Sequence, residues 1–595
     1  MTSENAFLKV NRSFGGRRWI ARPSDERTAL ALAQGYGLPE LVGRVLSARG
    51  IDLSTAEAFL TPKLKSLLPD PSHLKDMDAA ASRIARAIMG GEKVAVFGDY
   101  DVDGATSSAL LRRFFRAAGS DVTVYIPDRI AEGYGPNAPA LLRLKSEGVS
   151  LVVTVDCGVT SFDPLAAAAD AGLEVVVIDH HAAEPRLPRA VAVVNPNRKD
   201  DASPHKTLAA VGVTFLLVVA LNRALREAGW WNDRRPAPDL LNWLDIVALG
   251  TVCDVVPLIG LNRALVTQGL KVMAKRGNPG ITALADLCKL TEKPDAWHAG
   301  FILGPRVNAG GRVGASDLGA RMLSTDDPRE ATEIARILDQ HNTERRAIEA
   351  EVLEEAMTGV EAALEDLGGL VFAVGEGWHP GVIGIVAARL KERYNRAACV
   401  VALDNGIGKA SGRSVRGVDL GAAVIAARHA GLLIAGGGHP MAAGFTAAAD
   451  RLPELKSFLA GRIADQQVDG PLAPTLELDG MLSVGGATPD LVSLLNRLGP
   501  FGTGNSEPRF ALADARVVQA SVVGENHVRC ILSGQGGERL KAIAFRTLDT
   551  DLGKALLKSG GSPMHIAGYL RPDNWQGRND VQLMIEDAAP VWGAG

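Results

Sequence analysis

The stretch KVAVFGDYDVDG (residues 93–104) decides the fold. An apolar, β-prone run opens directly into Asp99, Asp101 and Asp103, and a glycine precedes the helical pattern ATSSALLRRFF. The same order recurs downstream: LVVTV (151–155) ends at Asp156, and LEVVVI (173–178) ends at Asp179-His180-His181. Further strands at about 121–126 and 191–194, with helices from about 105 and 138 and over 162–171, give an alternation that builds βαβ units and a parallel sheet. The strands are apolar without a break, as expected when helices cover both faces. Open α/β sheets bind ligands at the carboxyl ends of their strands, so these acids and imidazoles are expected to share one site.

Those side chains are the donors that divalent metals use. LGTVCDVVP (249–257) adds the carboxylate of Asp254. Two ions about 3.5–4 Å apart require anionic oxygens, one of them bridging, and imidazole tilts the preference from Mg²⁺ toward Mn²⁺. Such a pair makes a hydroxide nucleophile at neutral pH and stabilises a leaving oxygen, while the helix opening after Gly104 presents its positive dipole end to a phosphate. The chemistry expected is that of a two-metal phosphoesterase. Two plainer readings compete. A calcium loop counted from Asp99 needs a bidentate Glu at its twelfth position, which is Leu110. Helix capping by Asp103-Gly104 accounts for one acid, but not for those ending two further strands.

At 595 residues the chain is too long for one core. With 64 basic and 68 acidic residues the net charge is −4, so any nucleic-acid surface must be a local patch. Cys157, Cys253, Cys288, Cys399 and Cys530 form no CxxC pair, which excludes a zinc ribbon and fits free thiols in a reducing compartment. The start, MTSENAFLKVNRSF, lacks the order of a signal peptide, and the longest apolar run, Leu208 to Leu221, falls short of the ~20 residues that span a bilayer. A cytoplasmic protein is expected.

Five regions are expected: a helical N-terminal region at 1–80, the parallel-sheet α/β domain at 81–325, a connecting helix at 326–367, a second α/β domain at 368–465 and an all-β domain at 466–595. The connecting segment has little apolar stripe to bury. The second α/β domain reads as strand LVFAV, helix GVIGIVAARLKERY, strand CVVAL and helix LGAAVIAARHA. Strand candidates at 510–523, 528–532, 540–545, 564–570 and 580–586 point to a small barrel, with an OB-fold leading.

Two clusters have the chemistry of an anion pocket. GPRVNAGGR (304–312) combines Arg306, Asn308 and Arg312 with glycines that let a nucleic-acid strand approach the backbone, or is a glycine-rich turn with surface arginines. KASGRSVRG supplies Ser411, Arg413 and Arg416, and the run Gly436-Gly437-Gly438-His439 adds loop amides for a terminal phosphate. His439 alone reads equally as a core histidine. On the barrel, Arg509, Arg516, Arg529, Arg539, Lys541 and Arg546 could track a phosphate backbone beside Phe510, Phe545, Tyr569 and Trp575, although scattered basic residues on a β-surface are usually only solvated.

DYDVDGATS, VDCG, DHH and GTVCDVVPL, in this order, resemble the four motifs of the DHH phosphoesterase superfamily. GPRVNAGGR and GGGHPMAAGF (436–445), with Trp378-His379-Pro380-Gly381, narrow the resemblance to its branch of bacterial single-strand-specific 5′→3′ exonucleases over about residues 70–595. The resemblance implies a DHH domain, a DHH-associated domain and an OB-fold. It implies two Mn²⁺ or Mg²⁺ ions, one held by Asp101 and Asp156, the other by Asp103, His180, Asp254 and a bridging Asp156. His181 would support the site or touch substrate phosphate. Phe97 stands where some members carry a histidine ligand, so Asp99 or water takes that place. Arg129, Arg306, Ser411 and Arg413 match positions implied in holding a 5′ end. The branch implies single-stranded DNA as substrate, repair and recombination as setting, a helicase and a single-strand-binding protein as partners, and a monomer. The rivals are a DHH enzyme acting on RNA, short oligoribonucleotides or cyclic dinucleotides, and a non-catalytic replication scaffold, which would have no need of the acids retained here.

Overall fold

The computed structural model describes residues 6–362, 369–467, 473–573 and 580–591. It has two compact units: residues 64–472, and residues 1–63 together with 473–595. The first sixty-odd residues, read from sequence as part of a separate helical region, thus pack with the C-terminal barrel.

In the larger unit the first sheet is fully parallel, with strands in the order Val122–Tyr125, Val94–Gly98, Leu151–Val155, Glu174–Ile178 and Ala192–Val194. Alternate side chains serve opposite faces. Val94, Val96, Val153 and Val176 pack under helices Met77–Gly90 and Ala210–Glu227, whereas Ala95, Phe97, Val152 and Val175 pack under Ala138–Ser146 and Phe162–Asp170. At about 1.5–3 kcal/mol for each fully buried aliphatic side chain, this two-sided burial specifies the register. Register pairs Gly98 with Val155, Val155 with Ile178, and Ile178 with Val194. The next residues, Asp99, Asp156, Asp179 and Asn195, therefore form a row along one edge.

GPRVNAGGR is neither a turn nor an open track: it lies in helix Gly304–Val313, and its glycines are used inside the protein. A Cβ on Gly311 would sit 2.3 Å from the Tyr100 carbonyl oxygen, and one on Gly304 would sit 2.4 Å from Cys253 Sγ. The helix is thus pressed against the Asp99–Asp101 loop.

The connecting helix, Pro328–Ala362, carries two short apolar stripes where little was expected. Ile334, Ala335 and Leu338 join the core of the first lobe, with Ala331 buried one turn before them; Val352, Ala356 and Val360 join that of the second. Its expected last residues, 363–367, lie outside the described residues.

The second lobe is a mixed sheet ordered Ala435–His439, Ala442–Ala448, Ile407–Arg413, Ala397–Asp404 and Leu370–Glu376. The last two strands are parallel and the other pairs antiparallel. The GGGH run, expected to supply loop amides, is a strand here, and KASGR lies in the strand Ile407–Arg413.

In the smaller unit, Phe510–Val523, His527–Ser533, Arg539–Ala544, Asp580–Pro590 and Pro563–Asp573 close into a five-stranded barrel, the last pairing back to the first. Arg539–Ala544 pairs with Asp580–Pro590 in parallel, and helix Asp551–Leu557 lies between the third and fourth strands in sequence. This is the OB topology. Asp587 anchors the N-terminal segment: it accepts from Ser13 Oγ (2.6 Å), the Gly15 amide (3.0 Å) and Trp19 Nε1 (3.0 Å) and pairs with Arg17. Trp575 lies outside the described residues.

Candidate active site

The strand-to-helix turn after Gly98 sets the first three acids. Asp101 caps helix Val102–Ala117, its Oδ1 accepting from the amides of Asp103 (2.8 Å) and Gly104 (3.0 Å). Asp103, one of the pair read as a possible cap, instead accepts from the amides of Ala210 (2.6 Å) and Val211 (2.8 Å) at the start of helix Ala210–Glu227. A Cβ on Gly104 would lie 2.4 Å from the Asp99 carbonyl oxygen, so only glycine permits the turn. Asp254 ends helix Leu244–Cys253, which is drawn in because Gly250 lets it touch Thr106. Asp156 (φ 62°) and Val255 (φ 61°) are left-handed, a conformation costing a non-glycine residue about 1–3 kcal/mol and concentrated at functional sites.

These elements bring the acids and imidazoles into three overlapping groups whose donor atoms all lie within 4.8 Å of one another: Asp99, Asp101 and Asp156; Asp103, His180 and Asp254; and Asp156, His180 and His181. Asp99 Oδ1, Asp254 Oδ2 and His180 Nε2 are buried without a hydrogen-bond partner. Burial, reinforced by the neighbouring carboxylates, pushes Asp103 up to about 7 and Asp254 up to about 9, and raises Asp99 and Asp156 well above the ordinary carboxylate range. Buried carboxylates that repel one another and orphaned donor atoms are what a divalent cation relieves. The donor set fits a metal.

The two histidines are held differently. His180 Nδ1 lies 3.0 Å from the Leu208 carbonyl oxygen, to which it can only donate, leaving the Nε2 lone pair to face Asp156 at 3.3 Å. Burial, then the neighbouring His181, lowers its pKa to about 4, so it is neutral. His181 Nδ1 lies 2.7 Å from Asp179 Oδ1. Burial opposes its charge, but the bond to Asp179 prevails and raises it to about 8. Asp179 is not in any of the three donor groups. It accepts from the amides of Val159, His180 and His181, and these bonds with His181 hold it near 2 against its burial.

A cationic side faces this acidic one. Arg312 donates to the Gly381 carbonyl oxygen (2.9 Å); burial, then Arg129, Arg345 and Arg413, push it down to about 10, with Asp101 opposing. Arg129 lies over the Tyr100 ring at 4.9 Å. Arg413 donates to Ser411 Oγ (3.1 Å), and both sit against Gly384 in the first turn of helix Ile383–Tyr394, whose dipole favours an anion. Arg306 is turned away from this group: it pairs with Asp339 (2.8 Å) and the Ile302 carbonyl oxygen. Asn308 is half-buried on the same helix. Gly437 has open space where a side chain would be, and Gly438 packs on Ala442 and Ala443. His439 is exposed at the end of the edge strand, which removes its reading as a core histidine.

Sequence reasoning missed Tyr134, whose hydroxyl donates to the Asp156 carbonyl oxygen (3.0 Å) and lies 3.3 Å from His181 Nδ1. The EGYG run shortly after Arg129 was the available signal. Asn195 and Asn197, which hold the His181 and His180 carbonyls, and Arg345 on the connecting helix left no comparable mark.

Comparison with known proteins follows the same divisions. Residues 93–251 match the DHH family N-terminal domain, 366–465 the DHHA1 domain and 478–587 the RecJ OB domain. The single-stranded-DNA-specific exonuclease RecJ of Salmonella typhimurium is 35% identical over 97% of this chain and 100% of its own length. The chain belongs to the RecJ family. Among solved structures, RecJ of Thermus thermophilus in complex with Mn²⁺ is similar with a TM-score of 0.79 and 29% identity, covering 96% of this chain and 78% of that one. The Mg²⁺ complex of that RecJ is similar with a TM-score of 0.74 and 27% identity over the same shares. The expected parallel-sheet DHH domain, DHHA1 domain and OB barrel are those of the RecJ family.

Proposed function

We propose that this protein is a metal-dependent exonuclease that degrades single-stranded DNA from its 5′ end and releases 5′-mononucleotides in recombination and repair. The observation that carries this is the meeting of the three donor groups with the arginine and serine cluster: one side can hold divalent cations, the other a phosphate. In the assignment, Asp101, Asp156 and Asp99 hold one Mn²⁺ or Mg²⁺ ion, and Asp103, His180, Asp254 and a shared Asp156 hold the other. When bound, such ions supply the nucleophile and stabilise the leaving oxygen. Asp179 fixes His181 through Nδ1, which leaves Nε2 as the ring atom that can meet a phosphate oxygen. Tyr134 steadies the backbone at Asp156. Arg129, Arg312, Ser411 and Arg413, beside the start of helix Ile383–Tyr394, bind the 5′ terminal phosphate, with Gly437, Gly438 and His439 adding contacts from the edge strand.

The five cysteines are free, and among the described residues no helix is long and apolar enough to cross a membrane. We place the enzyme in the cytoplasm as a monomer, acting with a helicase and a single-strand-binding protein, as the family implies. The test uses a mixed-sequence strand, alone and as a blunt duplex, labelled separately at each end. Mn²⁺, Mg²⁺ or chelator is added, with Asp156→Ala as control. Mononucleotides released at once from the 5′ label of the single strand, requiring metal and Asp156, are expected. Release from the 3′ label first, or efficient digestion of the duplex, overturns the assignment. Cleavage only of RNA or cyclic dinucleotides would move the substrate class.

A further inference from the structure

Trp297 and Phe301 are 43% and 70% exposed in a chain with only 5% aromatic residues. Their rings stack at 6.2 Å between centroids and 26° between planes. Single exposed apolar residues are ordinary, but two large exposed rings 26° from parallel, with the His298 ring edge-on to Trp297 at 5.3 Å, belong to no hydrophobic core among the described residues.

Their position gives them meaning. The π-helical turn His298–Leu303 runs directly into helix Gly304–Val313, which carries Asn308 and Arg312. Residues 300, 304, 307 and 311 make its inward stripe: a Cβ on Gly300 would lie 3.3 Å from Val252, those on Gly304 and Gly311 would strike Cys253 and Tyr100, and Val307 is buried. Phe301, Asn308 and Arg312 each follow that stripe by one residue, so they share the flank beside it. One end of the flank is Arg312, within electrostatic reach of Asp101. At the other end stands the stacked pair, with Phe301 about 16 Å away along the axis at ~1.5 Å per residue and Trp297 about one turn farther.

We propose that Trp297 and Phe301 form a base-stacking platform for unpaired DNA, holding nucleotides a few positions downstream of the one being cut. The inference rests on the single-strand exonuclease reading above. The flank commits the occupant: it begins at the arginine assigned above to phosphate and ends at exposed aromatic rings, the alternation that single-strand grooves use, and stacking on aromatic rings tolerates every base. Duplex DNA keeps its bases stacked on one another and gains nothing from the pair.

The test measures equilibrium binding of fluorescent DNA by the full-length protein in chelator, for wild type, Trp297→Ala, Phe301→Ala, Phe301→Leu and Phe301→Trp. Each alanine variant is expected to lose roughly tenfold in affinity for a long oligonucleotide, shrinking its advantage over a trinucleotide. Phe301→Trp should restore the loss, and Phe301→Leu, which keeps bulk without a π-face, should not. Unchanged affinity for the long strand, or an equal loss on both lengths, overturns the platform; unchanged affinity leaves the face to a protein partner. Wild type that binds DNA but never degrades it with Mn²⁺ would sink the exonuclease reading while this comparison still stands.

Discussion

The two lobes of the larger unit build their sheets by opposite means. In the first, parallel strands rich in valine bury both faces and deliver Asp99, Asp156 and Asp179 in a row at their ends. In the second, AGGGH, AAGFTAA and IGKASGR pair antiparallel, and register sets Arg413 and His439 on either side of Ala442 and Ser411 and Gly437 on either side of Gly444. The first lobe concentrates buried negative charge that calls for cations; the second offers hydroxyl, guanidinium and a helix N-terminus to an anion. A phosphodiester hydrolase needs both: rigid packing where like charges must be forced together, and close backbone approach where a phosphate must be admitted.

The sharpest way to break this division is Asp156→Ala, which should lower turnover by at least about a thousandfold while single-strand binding survives. Chelator should have the same effect on the wild type. Near-normal turnover in the variant would remove the first lobe from the chemistry. Gly311→Ala should come next: its methyl would meet the Tyr100 carbonyl oxygen, lowering stability by about 1–3 kcal/mol in denaturant titration and disturbing the loop that carries Asp99 and Asp101. An unchanged midpoint would show that the helix can shift freely.

Asp179→Asn should cost about tenfold to a hundredfold in activity, because it removes the carboxylate that orients His181 through Nδ1. An equal rate for variant and wild type across neutral pH would make Asp179 a backbone anchor only. The smallest expected effect separates two arginines. Arg413→Ala should reduce the preference for 5′-phosphorylated over 5′-hydroxyl ends by about tenfold. Arg306→Ala should leave that preference alone and weaken the first lobe's hold on the connecting helix through Asp339. If Arg306→Ala shifts end preference as much as Arg413→Ala does, the cationic side extends further than the geometry indicates.

The first lobe was legible because an unbroken apolar run followed by an acid admits few structures: the run must be buried, and the acid must then emerge at the strand's end. The second lobe was only half legible. LVFAV and CVVAL announce strands, but AGGGH has no intrinsic β preference and becomes a strand only because Gly437 faces Gly444 on a neighbour. GPRVNAGGR misled for a related reason, since its glycines serve close helix packing against Tyr100 rather than a turn. The polar connecting helix hid two apolar stripes, each too short to dominate its periodicity.

By itself the sequence determined the βαβ order, the family, and which acids and imidazoles would stand at the strand ends, because burial and period are local properties of a chain. Only the tertiary structure decided that Asp179 serves His181, that Arg306 turns to Asp339 while Arg312 faces Asp101, and that Trp297 stacks on Phe301 in the open. Those outcomes depend on which surfaces meet across tens or hundreds of residues, and no local pattern encodes the partner of a charge or of an exposed ring.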